Sequence, residues 1–444
     1  MPIPTFTDGV FQIDSQYGFL PKEDPIAVLP DRYQAIQSIL DRLPEYTKNT
    51  DHDHLYPAIQ NLSNLIKFVK GESDRRLLVA LFRSYCFLSS AYLLYPSYSV
   101  YAYKGEYGQG ADRLPVQLAQ PLMYLASKLL VYPWLEYSYA YSLCNYVRKD
   151  PTRGLDYDNL KMATSFSGTA DENGFIMVHV DINQHTPVLI RECSAIYDIW
   201  ESPEANIKAH LQAVIEVLKK MNVSRKRMWE ASRWQHYNDF RIYIMGIAGN
   251  THIFPRGVRY EPEKKPRYYR GQSGSQDSII PFLDSFFRVC DFYPANELTE
   301  YLRDMRQYRP KPFRDLIEWT ETHTTGLAKW IIETGHAAEL LEIYRQIYDF
   351  RNGHWQFVQK YIMANTKYPK ATGGTPIISW LPNQIEAILD AMKWVMNTGN
   401  IRYEPYAELT QLLDQQKSVM RAPDYKADDV YNLNEKYHQR DSIL

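Results

Sequence analysis

The chain has 444 residues, 45% of them hydrophobic and 23% charged, with a formal net charge of −2. That length and apolar content support a sizeable core, in one large domain or two, and exclude a mainly disordered chain. The near balance of charge argues against a nucleic acid or an anionic membrane as partner.

The opening MPIPTFTDGVFQID has no basic segment followed by an apolar run, so no secretory signal is expected. Apolar residues recur at i, i+3 and i+4 through DRYQAIQSILDRL (31–43), YPAIQNLSNLIKFVK (56–70) and DRRLLVALFRSYCFLSSAYLL (74–94), the spacing of helices. Arginine and serine interrupt the third, which reads as a core helix rather than a membrane span. Between the first two, DHDH (51–54) is either a grip for a divalent ion or, as expected of a polar connection, a solvated loop.

Helical spacing returns in LPVQLAQPLMYLASKLL (114–130). The stretch 149–174, rich in Gly, Asp, Thr and Ser, reads as a loop and domain junction. The expected division is a small helical domain over 1–160, a larger catalytic domain over 161–420 and a polar tail over 421–444. GFIMVHVDI (174–182) reads as a short strand on its β-branched content. Helices follow in EANIKAHLQAVIEVLKKM (204–221) and YNDFRIYIMGIAG (237–249).

A long connection (249–278) carries Arg256, Arg259, Lys264, Lys265, Arg267 and Arg270, read as a solvated loop because glutamates intersperse them. NTKYPKATGGTP (365–376) is a further loop, and PNQIEAILDAMKWVM (382–396) a last strong helix. One short strand among so many helices points to an all-α fold. Cys86, Cys144, Cys193 and Cys290 have no framework spacing and read as reduced thiols, so a cytoplasmic location is expected.

One residue breaks its pattern. Ile343, Ile347, Phe350, His354, Val358 and Tyr361 form one helix face, and a bare imidazole there costs a few kcal/mol unless it finds a partner. His354 is therefore either a core histidine bonded to a carbonyl or carboxylate, or a metal or haem ligand. Gly353 leaves room for a porphyrin to lie close, and Arg351 is placed to reach a haem propionate. No P-loop, H-E-x-x-H or dinucleotide-binding fingerprint is present.

FRNGHWQFVQKYI (350–362) with ATGGT after it, and FRIYIMGIAGN and YRGQSGSQDS before it, resembles the indoleamine 2,3-dioxygenase family. DGVFQIDSQYGFLPKEDPIAVLP and the stretch from LPVQLAQPL to YVRKDP are similar to the family's opening and distal helix, in the right order. The resemblance implies an all-α fold, with a small N-terminal helical domain over a larger one bearing haem b. It implies His354 as proximal iron ligand and Arg351 as propionate partner, with Asp284 pairing Arg351. Arg241 falls where the family binds the substrate carboxylate. Ser273 lies in the loop over the haem, and Thr372, Gly373 and Gly374 in the segment that closes over the substrate.

The chain also departs from the family. Aligned on Gly-Phe, Phe175 falls in the pocket and His179 where animal enzymes carry a serine above the iron. There a distal histidine would accept the indole N–H proton or hydrogen-bond bound oxygen, like the distal histidine of the separate tryptophan 2,3-dioxygenase family; as part of a strand with alternating faces, His179 would instead point away. His236 and Tyr237 replace two phenylalanines, which implies a more polar pocket and a substituted tryptophan or other indole as substrate. Ser138 replaces a pocket tyrosine, unless a slip of one residue restores it.

The implied reaction opens the indole C2–C3 bond with O2 to an N-formylkynurenine-type product. An external electron donor keeps the haem reduced, and the enzyme is expected to be monomeric, with no nucleic acid or membrane partner. Two other readings stay open: a haem monooxygenase or peroxygenase acting on an indole, and a non-catalytic haem carrier or gas sensor.

Overall fold

Helical spacing dominates the chain and helix is what forms: 61% of the structure is helix and 5% strand, an all-α fold as expected. The computed structural model describes residues 2–48, 54–200, 202, 206–365, 372–373 and 377–420. Asp51, His52 and Asp53 of the DHDH motif, Gly374, most of the 365–376 loop and the 421–444 tail lie outside the described residues.

Short helices lead to α1, Arg75–Lys104, which Asp74 caps by accepting from Arg76 N at 2.9 Å. Gly105 ends it at φ 69°, a left-handed conformation that favours glycine. By length and composition α1 is able to cross a membrane, but 94% of its most apolar window is buried inside the protein. The Arg83 guanidinium within it donates to Cys144 O at 2.7 Å and Ile26 O at 2.6 Å, which is how a core helix tolerates a charge. α2, Val116–Leu129, packs on α1. A π-helical turn follows at Tyr137–Tyr141, started by Glu136, whose carboxylate accepts from Ser138 N at 2.8 Å and Tyr139 N at 2.5 Å.

The strand expected at 174–182 is instead part of α3, Ala170–Asn183. Thr169 Oγ1 accepts from Glu172 N at 3.2 Å, and this Thr-x-x-Glu start outweighs the β-branched content that follows. The change of element changes which side chains share a face. In a helix Phe175 and His179, four residues apart, stand together.

α4, Lys208–Lys226, packs against α3, and α5 runs from Ile279 to Phe286. α6, Ala337–Phe357, lies along both α4 and α7, Ile377–Thr398, and continues into a π-helical turn, Val358–Met363. Tyr146–Arg148 pairs antiparallel with Leu160–Met162, and Arg113–Leu114, Val258–Tyr260 and Pro266–Arg267 form a three-stranded sheet. The two long stretches read as loops are therefore partly ordered by backbone ladders. Apolar residues from both sides of residue 160 join one hydrophobic cluster, from Val10 to Leu413. All four cysteines are free thiols.

A Cβ built on Gly174 would lie 1.8 Å from the Ala231 carbonyl oxygen, so α3 meets the short helix Met228–Ala231 backbone to backbone. Gly174→Ala is expected to destabilise the fold by about 1–3 kcal/mol or more through overpacking. Urea unfolding checks this, and an unchanged midpoint would contradict that contact.

Candidate active site

α3, α4 and α6 enclose a cavity of about 1390 Å³, lined by Phe175, His179, Arg225, Tyr237, Ser273, His354 and Thr372 among others. A second space of about 1000 Å³, lined by Asp284, Arg306, Arg309 and Arg351, shares Gly274, Asp277, Phe350, His354 and Gln384 with the first. His354 stands where the two meet.

On α6, Gly353 and Trp355 are buried, whereas the His354 ring lines the cavity. Its ring nitrogens have no hydrogen-bond partner among the described residues, which removes the reading of a bonded core histidine. Burial first, then the neighbouring His179 and Arg225, push its pKa down to about 4. The imidazole is neutral at physiological pH, the form that ligates a metal. Opposite it lies His179. A Cβ built on Gly274 would be 3.6 Å from His354 Cε1 and 3.7 Å from His179 Cε1, so the two rings face each other across that glycine.

Arg351, one turn before His354, donates through Nη2 to Asp284 Oδ2, with Tyr293 Oη and Gln384 Oε1 each at 3.2 Å. Burial raises the Asp284 pKa, and the Arg351 charge opposes it. The structure thus brings together Arg351 and Asp284, which lie 67 positions apart in sequence.

A model of the indoleamine 2,3-dioxygenase family matches residues 8–392. The chain belongs to this family. It is 26% identical to indoleamine 2,3-dioxygenase 2 of Homo sapiens over 86% of this chain and 94% of that protein. It is also 27% identical to an indoleamine 2,3-dioxygenase of Saccharomyces cerevisiae, over 61% of this chain and 64% of that protein. A 6-hydroxytryptophan 2,3-dioxygenase of Fusarium equiseti is 24% identical over 86% of this chain and 91% of its own length.

Several side chains of this dioxygenase-family site differ from expectation. Gly353 does not face the cavity to admit a porphyrin. A Cβ there would lie 1.7 Å from Arg225 Nη1, so the glycine makes room for a guanidinium beside His354. Arg225 also stacks on Phe357, 5.8 Å from the ring centroid. Its signal in the sequence was a glycine followed by the candidate ligand, which was assigned to the wrong neighbour.

His236 is not in the pocket: it pairs with Asp239 at 3.2 Å, and both side chains are about 40% exposed. Tyr237 is, and it alone of that pair makes the wall more polar. Arg241 is wholly buried behind Tyr237, its Nη1 donating to Tyr107 Oη at 3.3 Å. Burial pushes the Tyr237 hydroxyl up to about 12, against the pull of that guanidinium.

Phe175 lies on the cavity wall, with Tyr237 5.0 Å and His179 5.9 Å away between ring centroids. Ser273 lines the cavity, and its Oγ accepts from Ser275 N at 3.3 Å. Thr372 Oγ1 donates to Gln272 O at 2.5 Å, and Thr372 O accepts from Gly246 N at 2.9 Å, laying this segment over the cavity. A Cβ on Gly373 would meet Tyr301 Oη at 2.5 Å.

Ser138 is turned to Glu136. The π-helical turn presents Tyr137 instead, whose Oη is 3.1 Å from His179 Nδ1 and 2.8 Å from Asp277 Oδ2. Tyr137 is buried against these two groups, and an irregular helical turn gives no periodic signal from which to read that contact. Of the basic loop residues, Arg256 and Arg259 pair with Asp112, Arg267 with Glu263, and Arg270 is buried against Asp304 rather than solvated.

Gly353→Ala is expected to lower the melting temperature sharply. Adding Arg225→Ala should return part of that loss, with a coupling of about 1 kcal/mol or more between the two sites. Strictly additive effects would mean that the guanidinium does not fill the space over Gly353.

Proposed function

We propose that this protein holds haem b on His354 and cleaves the C2–C3 bond of L-tryptophan or a related indole with O2, giving an N-formylkynurenine-type product. The observation that carries this reading is a neutral imidazole without a hydrogen-bond partner among the described residues, lining both of two adjoining cavities, in a chain of this family. The residues fit the cofactor at its edge as well. Arg351 Nη1 and Gln384 Nε2 are buried without a hydrogen-bond acceptor among the described residues, donors suited to a propionate carboxylate.

Bound haem supplies the iron that activates O2, and an external reductant is needed only to bring that iron to the ferrous state. The chain's own contribution is position. Tyr237, backed by Arg241, receives the substrate carboxylate, and Phe175 packs on the indole face. Thr372 lines the cavity, and the aromatic wall of Phe357 and Tyr361 excludes water. Both oxygen atoms enter one product, so turnover itself consumes no electrons.

The reduced holoprotein, given L-tryptophan under ¹⁸O₂, should release a ring-opened product carrying two ¹⁸O atoms. One atom would indicate a monooxygenase, and unchanged tryptophan a carrier or sensor. Separately, His354→Ala should lose haem or its axial-imidazole absorption signature; unchanged axial coordination would end the proposal.

A further inference from the structure

The distal wall holds a chain of three groups that the reaction scheme above does not use. Tyr137 is fully buried and its hydroxyl has two neighbours, Asp277 Oδ2 at 2.8 Å and His179 Nδ1 at 3.1 Å. A phenol has one proton to give. The carboxylate can only accept, and a charge-assisted bond to it is the stronger, so the Tyr137 proton belongs to Asp277.

Asp277 is held in place to receive it. Asn183 Nδ2 donates to the same Oδ2 at 2.8 Å, Ile279 N donates to Oδ1 at 2.8 Å, and Arg309 Nη2 donates to the Asp277 carbonyl at 3.1 Å. Asn183 also reaches back to His179 O at 2.9 Å, tying both ends of the chain to one turn of α3. With its proton on Asp277, the Tyr137 oxygen presents lone pairs to His179. A lone pair on Nδ1 would face another lone pair, so Nδ1 must carry the hydrogen. A neutral imidazole has one N–H, and the other nitrogen, Nε2, is therefore bare. His179 lines the cavity across Gly274 from His354.

We propose that Tyr137 and Asp277 are positioning residues that lock His179 as the Nδ1–H tautomer, so that its bare Nε2 accepts the indole N–H and selects substrates with an unsubstituted ring nitrogen. This rests on the reading of the cavity as an indole site. It adds a direction to that site: the N–H edge lies toward α3, and a substrate without that hydrogen leaves Nε2 unpaired. A site built to bond one donor rejects an analogue lacking it more strongly than an apolar wall does.

The test uses the ferrous holoprotein with CO, which is diamagnetic. Nitrogen-15 NMR of the labelled histidines should show His179 protonated at Nδ1, its assignment made by loss of the signal in His179→Ser. A proton on Nε2 overturns the proposal. Equilibrium binding of L-tryptophan and 1-methyl-L-tryptophan to the same species should differ by about tenfold or more in favour of the parent. Tyr137→Phe should collapse that ratio by weakening the parent alone.

A ratio that survives in Tyr137→Phe reflects a steric clash with the methyl group and overturns the proposal, as does equal binding in the wild type or binding of neither. If Tyr137→Phe does not fold, Asn183→Asp, which loses the donor to Asp277 and sets a second carboxylate beside it, should lower the ratio in the same direction. Discrimination with no ring-opened product would leave the proposal standing and refute the dioxygenase reading. Product formation from both indoles at equal rates would do the reverse.

Discussion

The centre of this protein is arranged around one imidazole, His354, which lines both cavities and has no hydrogen-bond partner among the described residues. The helix bearing His354 packs against both α4 and α7. One turn back, Arg351 is fixed by Asp284, Tyr293 and Gln384. On the neighbouring face the missing side chain of Gly353 admits the Arg225 guanidinium. Each of these contacts stiffens the frame that keeps the nitrogen lone pair aimed into the cavity.

The opposite wall follows a different rule. There the polar groups answer one another, Asp277 to Tyr137 to His179, with Asn183 and Arg309 bracing the ends. Saturation on that side leaves a single acceptor toward the cavity. Between the two histidine-bearing walls the surface is aromatic, from Phe175 through Tyr237 and Tyr361 to Phe357. Flat apolar rings suit an indole, and the few polar atoms among them decide how it is turned. Tyr237 adds one of those atoms, with Arg241 buried behind the wall.

How much of this was legible before the structure depends on the element. His354 announced itself because a polar residue on a periodic apolar face is conspicuous. Arg351 and Asp284 were legible as a pair only through the family resemblance, since nothing local links positions so far apart. α3 was misread because β-branched residues were weighed above the Thr169-x-x-Glu172 start, and that error left the direction of His179 undecided. His236 was expected in the pocket and sits at the surface with Asp239, because one step along a short helical turn swings a side chain by about 100°.

By itself the sequence determined the all-α class, the helices of the core and the identity of the candidate axial ligand. The first two depend on periodicity and composition, which are local, and the third on the family resemblance. The tertiary structure alone decided that Gly353 serves Arg225, that Tyr137 rather than Ser138 meets His179, and that Arg241 is buried against Tyr107. Each is a contact between segments far apart in the chain, one of them set by an irregular turn. Such contacts come from how helices pack, and no spacing along a single strand of sequence encodes them.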